Sequence, residues 1–330
     1  MKNQLNLKKL LKSNAIWLVF LAELVFFAIA SKGNFISANN IVNICRQIAY
    51  YGVASVGMTF VILIGGIDLS IGSIITFVNM ICAYMMVNMS MNMWPAILIS
   101  LLAATLIGLL NSFMIANVGM PPLIATFASQ TVFEGLAFML TNGRSISGFT
   151  KLYPAMNLFA RWTLPGTGVP ICALIMAVCF AVGSFILNRT YFGRYFYAIG
   201  GSEEAAALSG ILINRAKHIV YSLSGFFAGL AGIVLLSRSG SAQTTVGKGL
   251  EFDVITCVVL GGVSVTGGAG RISGVVAGVL IIGSLTNGMI LMNVSEYTQM
   301  VVKGFVLALA VGIDCLSKKR AVETAGTASP

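Results

Sequence analysis

Charged residues are scarce in this sequence. Only 9% of its 330 residues are Asp, Glu, Lys or Arg, whereas a soluble globular domain has about a quarter. One stretch, 69–133, contains none at all. A membrane-spanning helix needs roughly 20 apolar residues, so this stretch alone is long enough for about three crossings. The lack of charge argues against an ordinary soluble domain and predicts a membrane protein.

Signatures of catalysis and of nucleotide binding are missing as well. The chain has a single histidine, and its six cysteines form no C-x-x-C pair, which argues against a metal centre and a membrane enzyme. The stretch "VGKG" (246–249) lacks the spacing of the G-x-x-x-x-G-K-[ST] phosphate loop. The sequence therefore predicts no catalytic residue, no metal ligand and no cofactor bound by this chain. ATP hydrolysis, if it drives the function, is expected in a separate chain.

Continuous apolar runs predict an all-α polytopic membrane protein with about ten transmembrane helices. Their continuity favours helices over the alternating strands of a barrel. Glu23, in the middle of the first run, favours an uncleaved first span over a signal peptide. The predicted transmembrane domain is 15–316, between a cytoplasmic segment (1–14) and a disordered cytoplasmic tail (317–330). The predicted spans are 15–31, 40–64, 70–88, 95–116, 122–141, 169–188, 218–237, 253–266, 272–291 and 297–316.

Basic residues set the expected orientation. The excess of Lys and Arg, 20 against 10 acidic residues, would suggest nucleic acid in a soluble protein. Here these residues lie largely in short loops, and loops on the N-terminal side of the membrane hold about twice as many as the opposite ones. The positive-inside rule then predicts that both termini are cytoplasmic, with no nucleic-acid partner. It also places 142–168 outside the cell and 189–217 inside.

Two glycine-rich stretches suggest a parallel internal repeat. "VILIGGIDLSIG" (61–72) aligns without gaps with "CVVLGGVSVTGG" (257–268). Glycine-interrupted apolar segments in matching positions are typical of a translocation path, although glycine also permits close helix packing. We assign "GFFAG" (225–229) and "GVVAG" (274–278) to helix packing. The residues predicted to form the path and its hinges are Gly65, Gly66, Asp68, Ser70, Gly72, Gly261, Gly262, Ser264 and Thr266.

The inner loop contains a short, well-capped helix. In "GGSEEAAALSG" (200–210), Ser202 is an N-cap candidate, acidic residues follow in the first turn, and Gly210 suits the C′ position. A helix of about two turns is marginal alone, so it is either a capped surface turn or a coupling helix that docks on a cytoplasmic motor. The coupling residues are Ser202, Glu203, Glu204, Ala205, Ala206, Leu208 and Gly210.

These residues resemble a known family. The pattern Glu204-Ala205-Ala206-x-x-x-Gly210 is similar to the EAA loop of bacterial ABC importer permeases, although the I-x-L-P ending of the longer motif is absent. From about residue 35 to 316, the chain resembles the membrane subunit of ribose-type monosaccharide importers. The stretches that carry the resemblance are "VGMTFVILIGGIDLSIGS" (56–73), "TNGRSISGF" (141–149), "GRYFYAIGGSEEAAALSGI" (193–211), "YSLSGFFAGLAGIV" (221–234), "SAQTTVGKGLEFDVITCVVLGGVSVTGGAGRISG" (241–274) and "YTQMVVKG" (297–304).

The resemblance implies partners and a location. It implies a pore formed with a second copy or a paralogue in the bacterial cytoplasmic membrane. It also implies ABC ATPase subunits that use ATP and Mg²⁺ inside, and a sugar-binding protein outside. The cargo expected from the family is ribose or a related sugar. An ion-coupled secondary transporter that uses Asp68 or Glu134 is the alternative.

Ionisable residues within membrane spans are functional candidates by default. Asp68, Glu134, Arg46, Lys303 and Glu23 lie in or near predicted spans, and pairing among them is the structural alternative.

Glu251 and Asp253 are predicted at the outer mouth of the eighth span, where they contact sugar, cap the helix or contact the binding protein. For Asp68, the matching Ser264 favours capping or fixing the bend over direct sugar contact.

Overall fold

The fold is almost entirely helical. The computed structural model describes residues 15–326. Its helices are α1 (Ala15–Ala30), α2 (Ala38–Leu63), α3 (Ile71–Val87), α4 (Met93–Ala116), α5 (Pro122–Met139), α6 (Phe149–Leu152), α7 (Ile171–Arg189), α8 (Tyr191–Gly201), α9 (Glu203–Leu208), α10 (Ile213–Ser239), α11 (Leu250–Leu260), α12 (Ile272–Leu291) and α13 (Glu296–Gly326). Two-residue strands, β1 (Ile146–Ser147) and β2 (Ser241–Ala242), pair antiparallel.

Length and composition identify a multi-pass membrane protein. Within 15–326, five helical segments are long and apolar enough to cross a membrane: α4, α7, α10, α12 and the Glu296–Leu316 part of α13. Two shorter apolar helices, Ile16–Ala30 and Ile71–Val87, accompany them. The prediction of an all-α membrane protein is therefore confirmed at this coarser level.

The prediction of a continuous helix over 253–266, the eighth predicted span, is wrong. Helix α11 has 11 residues, which at 1.5 Å per residue gives about 16 Å, whereas the hydrocarbon core is about 30 Å thick. The helix ends at Leu260 because Gly262 takes a left-handed conformation with φ +83°, which an α-helix does not contain.

The C-terminal helix also differs from the prediction. Helix α13 continues through 317–326, where composition predicts a disordered tail. The stretch "SKKRAVETA" is rich in residues with good helix propensity, and it extends a helix that is already nucleated, so only propagation is needed. The predicted segments 1–14 and 327–330 lie outside the described residues.

Helix α10 packs at the centre of the bundle, and small residues allow the close approach. A Cβ atom on Gly225 would overlap the carbonyl oxygen of Ala104 in α4, and one on Gly108 would overlap that of Tyr221 in α10. A Cβ atom on Gly278 would overlap the carbonyl oxygen of Cys257 in α11. The assignment of "GFFAG" and "GVVAG" to helix packing is confirmed.

Candidate functional site

The first glycine break joins α2 to α3 and holds a buried carboxylate. Gly65 takes φ +79°, which ends α2, and Asp68 follows with 0% of its surface exposed. Asp68 Oδ1 accepts from the Ser70 backbone N–H at 3.0 Å and from the Ser70 hydroxyl at 2.6 Å. Its Oδ2 accepts from the Ser224 hydroxyl of α10 at 2.7 Å. The carboxylate therefore holds the bent backbone in place.

A chain of polar side chains continues from this carboxylate. The Ser70 hydroxyl accepts from Asn111 Nδ2 of α4 at 2.8 Å, and the Ser129 hydroxyl of α5 donates to Asn111 Oδ1. Thr126 of α5 accepts from the Leu69 backbone N–H at 3.1 Å. Buried polar groups need such partners to offset their desolvation. The first break is thus tied to α4, α5 and α10.

The second break, 261–271, joins α11 to α12. Positive φ angles occur at Gly262, Gly267, Gly268 and Gly270. Asp314 of α13 supplies a carboxylate here, because its Oδ2 accepts from the Ser264 hydroxyl at 3.1 Å and from the Val265 backbone N–H at 3.3 Å.

The predicted hinge glycines serve two different purposes. Gly65 and Gly262 provide the left-handed turns. In contrast, Gly66, Gly72 and Gly261 provide close contacts, because a Cβ atom on each would overlap Tyr221, Glu251 and Val275 respectively. The gapless alignment pairs Gly65 with Gly261, so the left-handed positions are out of register by one residue. Ser264 and Thr266 lie together, with their side-chain oxygens 3.4 Å apart.

The two breaks are in direct backbone contact. The Gly268 N–H donates to the carbonyl oxygen of Leu63, the last residue of α2, at 2.9 Å. A Cβ atom on Gly267 would lie 2.8 Å from the backbone nitrogen of Gly65. Since only glycine leaves room for this approach, the contact depends directly on the sequence of both breaks.

The predicted coupling helix forms as α9. The Ser202 hydroxyl accepts from the Ala205 N–H at 3.2 Å and caps the helix. At the other end Gly210 takes φ +84°, and the N–H groups of Gly210 and Ile211 donate to the carbonyl oxygens of Ala207 and Ala206. This is the Schellman arrangement. The local capping prediction is therefore confirmed.

Helix α9 presents nearly all of its surface to solvent. Ala206 is its one buried residue, whereas Leu208 is 91% exposed. Glu203 pairs with Lys217 at the start of α10, with 2.7 Å between Oε1 and Nζ. A well-formed helix that displays an apolar side chain offers a contact surface for another molecule.

Helix α8, which precedes α9, lies against both breaks. A Cβ atom on Gly200 would overlap the carbonyl oxygen of Leu63 and the backbone nitrogen of Gly268. The Tyr197 hydroxyl donates to the carbonyl oxygen of Gly270 at 2.9 Å, and burial raises the pKa of Tyr197, so this donor keeps its proton. The loop that carries the predicted coupling helix therefore contacts the backbone at both glycine breaks.

Glu251 and Asp253 are buried within the helical bundle and are not exposed at an outer mouth of the eighth predicted span. Glu251 is 3% exposed; its Oε1 accepts from Gln130 Nε2 at 3.1 Å. The residues before it reach into the interior, since the Gly247 N–H donates to the Thr76 hydroxyl in α3 at 3.0 Å. The prediction of a surface contact is wrong because β2 is followed by a segment that enters the bundle before α11 begins.

The sequence did not determine the partners of the other charged residues in the predicted spans, and the structure shows them. Lys303 donates to Asp253 Oδ2 at 2.7 Å, and Tyr51 donates to the same oxygen at 3.0 Å. Arg46 donates to the Arg161 carbonyl oxygen at 2.8 Å.

The remaining two acids differ in their surroundings. Glu23 Oε1 accepts from the Ser284 hydroxyl at 2.7 Å. Glu134 lies part-exposed on α5, beside the exposed Thr131 and Gly135.

Sequence reasoning missed several of these site residues. Asp314, Gly200, Ser224 and Asn111 contact the breaks from helices remote in sequence. Ser129 acts one step further away, because its hydroxyl donates to Asn111. Polar residues inside apolar runs could have singled out Asn111 and Ser129, since they are costly in lipid. Nothing local distinguished Gly200 from Gly201.

Comparison with known proteins identifies the family. Residues 40–311 match the family described as "Branched-chain amino acid transport system / permease component". The ribose import permease protein RbsC of Bacillus subtilis (strain 168) is 43% identical over 297 residues, which cover 89% of this chain and 91% of the relative. The chain belongs to the family of ribose-type importer permeases. The resemblance noted in the sequence is thereby confirmed.

Other similar relatives are named as ribose and xylose permeases. The RbsC protein of Escherichia coli (strain K12) is 41% identical over 298 residues, covering 89% of this chain and 92% of the relative. The xylose transport system permease protein XylH of Haemophilus influenzae (strain ATCC 51907 / DSM 11121 / KW20 / Rd) is 32% identical over 362 residues, covering 92% and 96%. No solved structure matches this chain.

Proposed function

We propose that this permease is the membrane subunit of an ATP-driven ABC importer for a monosaccharide, ribose or a related pentose. The relatives named as ribose and xylose permeases support the class of cargo. The observation that carries the mechanism is the contact of Gly200 with Leu63 and Gly268. Through it, a movement imposed on the 189–217 loop reaches both glycine breaks without an intervening side chain.

In this mechanism α9 is the docking element for a cytoplasmic ATPase subunit, which binds ATP and Mg²⁺. This chain itself contributes no catalytic residue and binds no cofactor. The capped ends keep α9 folded as a rigid unit, and the exposed Leu208 and Glu204 form its contact surface. Closure of the ATPase subunits moves α9, α8 follows, and the two breaks shift against each other.

The translocation path runs beside the two breaks. Asp68, Ser70, Ser264 and Thr266 hold the bent backbone there, and hydroxyl groups along the path make weak, exchangeable hydrogen bonds with a neutral sugar. The extracytoplasmic sugar-binding protein supplies most of the selectivity. Asp68 has a positioning role, because both of its oxygens already accept hydrogen bonds from the protein.

A second permease copy, or a paralogue, completes the pore. Glu134 is part-exposed within α5, next to the exposed Thr131. An ionisable side chain that faces lipid is costly, so this face supports contact with protein or a water-filled path. The chain crosses the bacterial cytoplasmic membrane about ten times, with a parallel repeat around the breaks and both termini inside.

Reconstitution tests this function. Proteoliposomes that contain the permease, its ATPase and its binding protein should take up labelled ribose or xylose only with ATP and Mg²⁺. Glu204→Lys combined with Gly210→Trp should abolish uptake and ATPase binding but leave membrane insertion unchanged. Glu296→Lys, a charge reversal on an exposed residue outside the docking loop, is the matched control.

Two outcomes would contradict the proposal. Uptake by the permease alone without ATP would do so, as would normal stimulation of the ATPase by the Glu204→Lys, Gly210→Trp variant. The ion-coupled alternative through Asp68 or Glu134 makes the opposite prediction. Collapse of the proton gradient would then stop uptake while ATP remains plentiful.

A further inference from the structure

The second glycine break lacks an acid where the first has one. In the gapless alignment Asp68 corresponds to Ser264. A carboxylate nevertheless occupies the second break, because Asp314 reaches it from α13, 50 residues further along the chain. Its Oδ2 accepts from the Ser264 hydroxyl at 3.1 Å and from the Val265 N–H at 3.3 Å.

The two carboxylates bind the same kinds of donor. At the first break, Asp68 Oδ1 accepts from one backbone N–H and one hydroxyl, both of Ser70. At the second break, Asp314 Oδ2 likewise accepts from one backbone N–H and one hydroxyl of the break segment. The source of the carboxylate differs, since Asp68 belongs to the break itself and Asp314 belongs to a separate helix.

A carboxylate suits this task for a physical reason. Where the chain leaves helical geometry, its N–H groups lose their intrahelical acceptors, and inside a membrane protein they must find others. An ionised carboxylate accepts stronger hydrogen bonds than a neutral group does. Ser264 is buried, so the donors at this break have limited access to water as an alternative acceptor.

The position of this carboxylate links α13 to the coupling contact. Gly268, four residues after Ser264 in the same break, donates to the Leu63 carbonyl oxygen, and a Cβ atom on Gly200 would overlap both groups. If residues 264–265 were free to shift, Gly268 would not keep its position against Leu63 and Gly200. Asp314 therefore fixes the segment against which α8 presses.

We propose that Asp314 is the positioning residue of the second break and performs there the task that Asp68 performs in the first. Asp314 anchors the break to α13, so that movement of α8 is transmitted across the contact rather than absorbed by the loop. This inference rests on the proposed coupling function.

The test compares sugar uptake per ATP hydrolysed in reconstituted importer. Asp314→Ala should lower this ratio about tenfold, which corresponds to about 1.4 kcal/mol, since it removes the charged acceptor of the hydrogen bonds from Ser264 and Val265. Asp314→Asn should retain part of the ratio, because the amide oxygen still accepts. Cys315→Ala, at the neighbouring exposed position, is the matched control and should behave as the wild type.

A transplanted carboxylate supplies the decisive variant. Ser264→Asp combined with Asp314→Ala places the acid within the break itself, at the position that Asp68 holds in the first break. The double variant should recover the ratio to within about twofold of the wild type, because backbone donors of the break regain a charged acceptor. If Asp314→Ala does not accumulate in the membrane, the double variant should restore its accumulation.

Three outcomes would overturn the inference. One is a wild-type ratio in Asp314→Ala, the second is a loss equally large in Cys315→Ala, and the third is no rescue by the double variant. Failure of the underlying function would look different, since the wild-type importer itself would then show no ATP-dependent uptake.

Discussion

Replacement of Gly200 by alanine is the sharpest test of the coupling contact. Gly200 lies near the end of α8, and an added Cβ atom would overlap the Leu63 carbonyl oxygen and the Gly268 backbone nitrogen. Both are main-chain atoms, so no side-chain rotation can relieve the overlap. At the next residue, Gly201, an added Cβ atom would have no other atom within 4 Å, which makes Gly201→Ala the matched control.

Two opposing contributions determine how strongly Gly200→Ala weakens the contact. Overpacking of a well-packed contact costs about 1–3 kcal/mol, whereas alanine in place of glycine favours a helix by up to about 1 kcal/mol. Because both overlaps are with main-chain atoms, the upper part of the overpacking range applies, about 2–3 kcal/mol, and Gly200→Ala should destabilise the contact by about 1–2 kcal/mol after the helix term is subtracted. Since 1.4 kcal/mol corresponds to a factor of ten, we expect uptake per ATP to fall by about five- to thirtyfold. Gly201→Ala gains helix propensity without any overlap, so it should not lower uptake per ATP.

The assay measures uptake and ATP hydrolysis together in proteoliposomes that contain the permease, its ATPase and its sugar-binding protein. Gly200→Ala should hydrolyse ATP with little uptake, because the α8 loop still binds the ATPase but no longer fits against the breaks. Equal uptake by Gly200→Ala and the wild type would refute the contact as the coupling route. Equal impairment by Gly201→Ala would show that flexibility of the loop, not close contact, is what matters.

Two further predictions concern the buried charges. Asp68→Asn replaces one carboxylate oxygen with an amide nitrogen, which cannot accept from Ser70 or Ser224, and removes the charge that strengthens the other hydrogen bonds. Detergent-solubilised protein should lose about 1–3 kcal/mol of stability, with its sugar preference unchanged. A switch in the preferred sugar would contradict the positioning role. Asp253→Asn leaves Lys303 without its anionic partner and should lower the melting temperature. The double variant Asp253→Asn, Lys303→Met should recover the melting temperature, because removing one member of a buried pair costs more than removing both. Equal losses in the two variants would argue against the pair.

Much of the helical layout could be predicted from the sequence because apolar runs and turn residues are local signals. Helices α2, α4, α7, α10 and α12 begin and end within a few residues of predicted spans. The caps of α9 were predictable for the same reason, since Ser202 and Gly210 act within their own turn.

The predictions that failed concern residues whose burial in the bundle, or whose contacts with distant parts of the chain, leave no local signal in the sequence. Glu251 and Asp253 follow a polar, glycine-containing segment that resembles an exposed loop, yet Gly247 donates to Thr76 inside the bundle. Hydropathy cannot distinguish a loop that stays outside from one that enters, because both are polar. Likewise, no spacing rule connects Asp314 with Ser264, since the two meet only through the packing of α13 against α11.

The arrangement around Asp68 also bears on the choice between ATP coupling and ion coupling. A proton carrier must exchange protons with water on alternate sides of the membrane, whereas Asp68 is fully buried and accepts from Ser70 and Ser224. Release of any one of those donors would leave a buried hydroxyl or N–H unpaired. The same hydrogen bonds are useful in a rigid joint that must transmit force. Because α8 contacts the backbone next to that joint, the geometry favours a permease that is moved through the 189–217 loop over one that carries a proton on Asp68.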